Sequence, residues 1–215
     1  MPMMLAAAAA LLSFQAAPAA STARIVAPID QCGQDEGFAR FRSELLDVLV
    51  RRDATRLRAL VAPDIEYSFG GDAGRDSFFR DWKLNDPASS ALWTTLAETL
   101  MLGCARQGGE MIAPYAFLNW PEFDSVGTSY LARPGAELHR RPSDESEVID
   151  SLAWHVVEDA PVGSDASENV WRRVRLGDGR IGYVRNDQLR IDIDYRAVFQ
   201  QRSGRWLMTT FIAGD

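Results

Sequence analysis

Few side chains in this sequence could perform nucleophilic or metal chemistry. There are two cysteines, Cys32 and Cys104, and two histidines, His139 and His155. A cysteine nucleophile needs a histidine within hydrogen-bonding reach, yet both cysteines precede residue 129 and both histidines follow it. The sequence also lacks a Gly-x-Ser-x-Gly elbow, a His-Glu-x-x-His helix and a paired-cysteine metal motif. We therefore expect no enzyme activity, no metal site and no cofactor, and we expect both histidines on the surface.

One set of three acidic residues remains as a candidate active site. Asp64, Glu66 and Asp72 surround the end of a predicted strand, where carboxylates could act as acid and base. Such residues are mostly exposed and solvated, which favours a structural role for all three. A deep cavity between these carboxylates and nearby aromatic rings would favour the enzymatic interpretation. The rings in question belong to Phe69, Trp82 and Trp93.

The redox state of the two cysteines is open at this stage. In an exported chain two thiols can pair in an oxidising compartment. Nothing in the sequence brings the Cα atoms of Cys32 and Cys104 within bridging distance. We therefore favour two unpaired, buried cysteines, with a disulfide as the alternative.

The composition is that of an ordinary globular protein. The 215 residues are 47% hydrophobic and 25% charged, and the formal net charge is −7. No stretch has the surplus of Lys and Arg with which proteins bind phosphate backbones. No apolar run reaches the ~20 residues of a membrane-spanning helix. We expect neither a nucleic-acid partner nor a transmembrane helix.

The N-terminus has the pattern of a signal peptide. An apolar run from Met3 to Phe14 is followed by Ala17-Pro18-Ala19, which offers small residues at the two positions that signal peptidase reads. This pattern predicts a signal peptide over 1–19 and a periplasmic or secreted protein. Because no Lys or Arg precedes the run, an Ala-rich helix of the mature protein is the alternative.

Helices and a strand are predicted for the first half of the mature chain. Apolar residues at helical spacing indicate a helix over 36–52, and Asp53 can cap a short second helix. Alternating apolar residues over 65–69 indicate a strand. Asp76 is a candidate cap for a third helix, and a serine at 89 or 90 for a fourth. Residues 111–118 are predicted to be extended and, because of Pro114, at a sheet edge.

From about residue 129 the pattern changes to short β-rich runs separated by turn residues. Asp178-Gly179 suits a tight hairpin turn with positive φ between two strands. Gly182 leaves room for a close backbone approach or a bend. A second hairpin is predicted at the C-terminus, where apolar strands flank Ser203-Gly204.

The order of features over 129–192 resembles the bacterial SH3 family. Its most specific element is Trp-x-x-Val-x-Leu-x-Asp-Gly-Arg-x-Gly-Tyr-Val, which begins at Trp171 and follows a Leu-x-x-x-Pro-Ser that begins at Leu138. The resemblance implies a small closed β-barrel that binds peptides, peptidoglycan or envelope proteins and has no catalytic apparatus. Trp171 and Tyr183 match the family's aromatic positions, and Trp154 and Asn186 are further candidate ligand contacts. The alternative is that Trp171 and Tyr183 both belong to the core.

The first part of the chain resembles the opening of the NTF2-like fold. The residues that carry this resemblance are Arg51-Arg52-Asp53-Ala54, Ala62-Pro63-Asp64-Ile65 and Gly74-Arg75-Asp76, and Gly204-Arg205-Trp206 is similar to the closing strands of that fold. A generic α+β domain is the alternative. The predicted organisation is an α+β domain over 24–128, completed by the hairpin at 193–215, with the SH3-like barrel over 129–192 between them.

These expectations combine into one predicted function. The chain is predicted to be an exported cell-envelope binding protein that uses its SH3-like barrel to bind a peptide, cell-wall or protein ligand. The alternative is an NTF2-like N-terminal domain that binds a small ligand or acts as an enzyme, with the barrel as a targeting module.

Overall fold

The computed structural model describes residues 23–71, 74–122, 128–160 and 170–214. The signal peptide predicted over 1–19 lies outside them. Within these ranges the chain forms four α-helices and two β-sheets, and the predicted α+β class is confirmed. None of the helices in the described part of the chain is long and apolar enough to cross a membrane.

The four α-helices all end before residue 102, and beyond residue 118 the described residues form strands and one short 3-10 helix. The helices are α1 (Glu36–Arg51), α2 (Ala54–Leu60), α3 (Arg75–Asp81) and α4 (Leu92–Met101). The strands are β1 (Val61–Glu66), β2 (Ala105–Gln107), β3 (Glu110–Ala113), β4 (Ser129–Ala132), β5 (Ala136–His139), β6 (Val148–Leu152), β7 (Val156–Asp159), β8 (Trp171–Arg175), β9 (Ile181–Arg185), β10 (Leu189–Ile191), β11 (Arg196–Arg202) and β12 (Arg205–Ile212). Short 3-10 helices cover Pro87–Ser89, Tyr115–Leu118 and Asn186–Gln188.

Side-chain caps begin the first two helices. The carboxylate of Asp35 accepts a hydrogen bond from the Phe38 N–H at 2.8 Å, and that of Asp53 accepts one from the Arg56 N–H at 3.0 Å. Each contact satisfies an amide that has no partner inside the helix. The predicted first helix and the predicted Asp53 cap are both confirmed.

Two local predictions in this region were wrong. Helix α3 is entered through Gly74, whose φ of +97° admits a turn that other residues resist, and Asp76 instead forms an ion pair with Arg58. Strand β3 lies inside its sheet, between β2 and β11, rather than at an edge. Because the strand ends at Ala113, the missing N–H of Pro114 costs the sheet no hydrogen bond.

The five-stranded sheet has the order β1-β12-β11-β3-β2. The C-terminal hairpin supplies two of its three interior strands, so the last strands of the chain lie between β1 and β3. Strand β12 pairs in parallel with β1, and β11 pairs in antiparallel fashion with β3. The hairpin therefore packs where its apolar residues predicted, against the helices and strands of the N-terminal region.

Cys32 and Cys104 form a disulfide, with Cα atoms 5.7 Å apart. The favoured interpretation, two unpaired cysteines, was wrong. The segment before α1 runs beside the start of β2, where the Gln31 N–H donates to the Cys104 carbonyl at 2.8 Å. This non-local contact places both cysteines at the buried edge of one core, next to the sheet and α1.

The seven-stranded sheet has the order β10-β4-β7-β8-β9-β5-β6. The predicted closed barrel is not observed in the described residues, because β10 pairs only with β4 and β6 pairs only with β5. The turn between β8 and β9 is as predicted, with Gly179 at a φ of +86°. Gly182 does allow a close approach, since a Cβ built there would lie 2.8 Å from the His139 carbonyl oxygen.

Candidate functional site

The pairing of β8 and β9 decides which way the predicted aromatic residues point. Trp171 is paired with Arg185, and Arg173 with Tyr183, while His139 of β5 is also paired with Tyr183. Directly paired residues of an antiparallel sheet project from the same face. All of these side chains therefore lie on one face of the seven-stranded sheet.

The opposite face of the same strands carries the core. Val174, Val184 and Leu138 are each 0% exposed and belong to one apolar cluster, to which neither Trp171 nor Tyr183 belongs. The two aromatic residues are thus on the outer face of the sheet. We call His139, Trp171, Tyr183 and Arg185 the outer cluster.

Ring contacts hold the outer cluster together. The rings of His139 and Trp171 meet edge to face, with centroids 4.9 Å apart and planes at 72°. The guanidinium of Arg185 lies 5.7 Å from the Trp171 ring centroid, within cation–π range. Trp171 is only 6% exposed, whereas Tyr183 is half-buried. The tryptophan is therefore covered largely by its neighbours in the cluster, and the tyrosine forms part of the accessible surface.

His139 is buried, at 5% exposure, so the expectation of a surface histidine was wrong here. Its Nδ1 lies 3.2 Å from the Ser146 carbonyl oxygen, and its Nε2 lies 3.4 Å from a carboxylate oxygen of Glu137. A carbonyl oxygen only accepts, so Nδ1 carries the proton in the first contact. The hydrogen bond from Nδ1 to Ser146 fixes the ring as a support for Trp171. The other histidine, His155, is half-buried and pairs with Ile25.

Arg185 is fixed by two carboxylates. Its guanidinium lies 3.0 Å from Asp144 and 3.3 Å from Asp187. Hydrogen bonding and attraction to Asp144, followed by those to Asp187, raise the pKa of Arg185. The positive charge beside the Trp171 ring is therefore permanent at any physiological pH.

Trp154 lies apart from the outer cluster. It is in the turn between β6 and β7, where its N–H donates to Ala132 at 2.8 Å and its carbonyl accepts from Val26 at 2.9 Å. Its ring packs in a small apolar group with Val26, Ala116, Leu131 and Val156. This group connects the N-terminal segment to the second sheet, so Trp154 has a structural position.

Asn186 also lies apart from the outer cluster. Its side-chain oxygen is 3.4 Å from the Arg172 Nε, and its backbone N–H donates to the Val170 carbonyl at 2.8 Å. Arg172 projects from the core face of β8, since it is paired with Val184. The structure therefore brings together Trp171 and Tyr183 of the four predicted site residues, and separates Trp154 and Asn186 from them.

The carboxylates proposed for the N-terminal region do not converge in the described residues. Asp64 forms an ion pair with Arg202 and Glu66 is exposed, while Asp72 lies outside the described residues. The space beside Trp82 is occupied by protein, because its ring packs against Tyr195 and Phe211 with both centroids at 5.4 Å. Phe69 is 58% exposed and Trp93 is 3% exposed. These three aromatic residues do not form the cavity that would favour an enzyme.

The chain has no thiol available for catalysis, because its two cysteines are joined to each other. Within the described ranges, the one group of metal-ligating residue types is Asp30 with Cys32 and Cys104. Sulfurs that are bonded to each other offer no thiolate to a metal. The arrangement that remains is the outer cluster, which can bind a ligand by stacking, cation–π contact and hydrogen bonding.

Sequence reasoning missed two members of the outer cluster, His139 and Arg185. One signal could have found them. Residues three apart on a strand point to opposite faces, so Trp171 and Val174 cannot both enter the core. Once Val174 is assigned to the core face, Trp171 must lie on the other face of the sheet. Its partner across the hairpin turn on β9 must then be Arg185 or an adjacent residue. The position of His139 depends on the pairing of β5 with β9, which no local pattern reveals.

Comparison with known proteins leaves the family open. No protein-family model and no curated protein matches the sequence. Among solved structures, the chain is similar to a variant with five substitutions of a protein titled Rd1NTF2_05, at 12% identity over 84% of this chain and 99% of that one. The TM-score is 0.31, and a likeness of this size does not establish a shared fold. Neither resemblance stated from the sequence is established by these matches.

Proposed function

We propose that this protein is an exported binding protein of the cell envelope. In this proposal the seven-stranded sheet is an SH3-like module in which, among the described residues, β10 and β6 are the two outermost strands. Its outer cluster binds an extended peptide, such as the peptides of peptidoglycan. The observation that carries the proposal is the placement of Trp171 and Tyr183 on the face opposite the core.

The energetics of that placement support binding. The core cluster of this sheet is small and consists of aliphatic residues and Tyr130. A large indole inside that core would stabilise the fold by burying more apolar surface there, but Trp171 is not placed in it. The indole lies instead against His139 and Arg185, which orient it on the outer surface. Trp, Tyr and Arg are the residue types that contribute most where proteins bind partners.

One prediction from the sequence and one structural observation support export. The predicted signal peptide directs the chain out of the cytoplasm. The disulfide between Cys32 and Cys104 is the kind of bond that forms and persists in oxidising compartments. A periplasmic or secreted location is therefore part of the proposal.

The binding proposal is tested by cosedimentation of the full mature chain with purified peptidoglycan sacculi. The test variant is Tyr183→Ala with Arg185→Gln, which alters the accessible part of the outer cluster and leaves Trp171 in place. We expect the unmodified protein to sediment with the sacculi and the variant to lose at least about 80% of the bound fraction, equivalent to about 1 kcal/mol.

The matched control is Arg140→Gln. Arg140 is an exposed arginine directly after β5, and its guanidinium pairs with Glu147 rather than with a member of the outer cluster. This variant should bind as the unmodified protein does. Equal binding by the outer-cluster variant and the control, with both correctly folded by circular dichroism, would refute the role of the outer cluster. Absence of binding by the unmodified protein would refute peptidoglycan as the ligand.

A second candidate function is favoured by one observation in the other half of the molecule. A groove beside Trp206, between α1, α2 and the C-terminal hairpin, has a volume of about 490 Å³. Volumes of this order are typical of small-molecule sites. In this alternative, an NTF2-like α+β domain binds a small ligand and the SH3-like module serves for targeting.

A further inference from the structure

The groove beside Trp206 combines an apolar floor with cationic walls. Phe41 of α1 and Leu60 of α2 form part of its floor, and each is 7% exposed. The indole of Trp206 completes the floor, and it is held edge to face against Phe38 with centroids 5.2 Å apart. A flat apolar ligand would therefore meet a surface that is already ordered.

The charges that line this groove are mostly positive. Arg40 and Arg205 contribute two guanidinium groups, and Glu44 contributes one carboxylate. The carboxylate of Glu44 already faces Arg56, 3.7 Å away. Arg40 forms an exposed contact with Glu36 at 3.6 Å, and an exposed pair of this kind contributes little. The groove thus presents positive charge on a chain whose net charge is −7.

Arg205 is the cation best placed for a ligand. It is exposed on the first residue of β12, directly after the hairpin turn. Within the described residues, no carboxylate lies within ion-pairing distance of its guanidinium. A guanidinium with unused donors recognises a carboxylate through two parallel hydrogen bonds.

The indole N–H of Trp206 is a further unused donor. It donates to no acceptor in the described part of the chain, and it lies directly over Gly37. A Cβ built on Gly37 would lie 3.3 Å from the Trp206 Nε1. Gly37 also lines the groove, so a larger residue there would crowd the indole N–H. Glycine near the start of a helix weakens that helix.

We propose that this groove binds a small aromatic carboxylate. The aromatic ring of the ligand lies on Trp206 and Phe41, and the carboxylate accepts hydrogen bonds from Arg205 and the Trp206 indole N–H. A neutral ligand of the same shape would leave the Arg205 donors without an acceptor, so charge sets the specificity. This site is separate from the outer cluster and does not depend on the function proposed for it.

The test uses 2-naphthoate and its neutral isostere 2-naphthamide on the full mature chain labelled with ¹⁵N. The readout is the Trp206 indole N–H resonance, identified among the six tryptophans by its loss in Trp206→Phe. We expect 2-naphthoate to shift this resonance in a saturable way and to bind at least fivefold more tightly than 2-naphthamide.

Two variants locate the interaction. Arg205→Gln should weaken 2-naphthoate binding at least fivefold, whereas Arg106→Gln, an exposed arginine on β2, should change it less than twofold. Gly37→Ala should also weaken binding while preserving the fold, because alanine favours the helix more than glycine does. An unmoved Trp206 resonance, equal affinity for the two compounds, or equal effects of the two arginine variants would overturn the proposal. Tyr183→Ala with Arg185→Gln should leave 2-naphthoate binding unchanged, which separates this site from the peptide-binding function.

Discussion

The two sheets of this protein differ in whether their aromatic residues lie in the core or on the outer face. Around the five-stranded sheet four phenylalanines are at most 1% exposed: Phe38, Phe78, Phe199 and Phe211. In the seven-stranded sheet the core is mainly aliphatic, and Trp171 and Tyr183 lie on the outer face. Aromatic residues thus stabilise the first region by burial in its core, whereas in the second Trp171 is covered by the outer cluster and Tyr183 is accessible to a partner.

The difference extends to what holds each region together. In the described residues, the core cluster of the first region contains 24 buried residues, and a disulfide joins two of them. The core cluster of the second contains nine, and its strands come close together at Gly182. We therefore expect the first region to depend on the disulfide and the second on close backbone packing.

Removal of the disulfide should have the largest effect. The bond connects residues 72 positions apart, and closing a loop of that length stabilises a fold by about 4 kcal/mol through the unfolded state. The variant Cys32→Ala with Cys104→Ala should therefore lower the melting temperature strongly. The measurement is calorimetry combined with hydrogen exchange followed by mass spectrometry.

Hydrogen exchange shows where the lost stability lies. Peptides from α1, α4 and β11 should exchange faster in the variant, and peptides from β5, β8 and β9 should change less. Equal acceleration in both sets would mean that the two regions unfold as one unit, and the comparison between them would fail.

Gly182→Ala should have the next largest effect, in the other region. A Cβ at this position would lie 2.7 Å from the Leu138 Cγ and 2.8 Å from the His139 carbonyl oxygen. Because a backbone oxygen cannot move without displacing β5, the cost should be about 3 kcal/mol. Chemical denaturation measures it, and hydrogen exchange should report the loss in β5 and β9.

The matched control for that change is Gly70→Ala. Its Cβ would meet only the Ser68 hydroxyl, at 3.3 Å, and a side-chain hydroxyl can rotate away. This variant should change the free energy of unfolding by less than about 0.5 kcal/mol. If Gly182→Ala were equally mild, the close approach of β5 and β9 would not stabilise the second sheet.

Gly179→Val measures the cost of backbone strain at a position where a new side chain meets no neighbour. Nothing lies within 4 Å of a Cβ built on Gly179, but its φ is +86°. A β-branched residue in that conformation should cost about 1–3 kcal/mol, whereas Gly179→Asn should cost clearly less, because asparagine tolerates positive φ. A thermal melt of each full-length variant measures the difference. Identical melting temperatures for the two variants would show that strain at this turn does not limit stability.

Local patterns predicted the parts of the fold that local physics determines. The helix α1 followed from apolar spacing, the start of α2 from Asp53, and the turn at Gly179 from an Asp-Gly pair. The disulfide and the internal position of β3 depend on contacts between distant segments, and the sequence signals for them were weak or misleading. Barrel closure depends on the edges of β6 and β10, which no motif specifies.

The sequence predicted the candidate site only in part, as it did the fold. Trp171 and Tyr183 were found by motif, but their outward direction depends on the register of β8 and β9. His139 joins them only because β5 pairs with β9 at a single position. Trp154 lies in the turn between β6 and β7 and Asn186 directly after β9, and no sequence pattern shows that these positions direct both side chains away from the outer cluster.

The smallest predicted effect concerns the ion pair that fixes the segment before α1. The two terminal nitrogens of Arg42 donate to the Asp30 carboxylate at 2.8 and 2.6 Å. This hydrogen bonding, together with the positive charge of Arg42 and the amides of Cys32 and Gly33, lowers the pKa of Asp30 below its usual 3.8 despite partial burial. A carboxyl group with a lowered pKa stabilises the fold above 3.8, and this contribution is lost as the pH falls below 3.8.

Asp30→Asn tests that contribution, because asparagine keeps an oxygen for the two amides and removes the charge together with the second acceptor of the Arg42 pair. The pair is partly exposed, so the loss at pH 7 should be less than about 1 kcal/mol. The difference in melting temperature between the two proteins should be largest near neutral pH and should close as the pH falls from 4 to 2.5. A difference in melting temperature that stays constant over that range would assign the effect to the amide contacts. A difference of zero at pH 7 would mean that the ion pair contributes nothing to the stability of the first region.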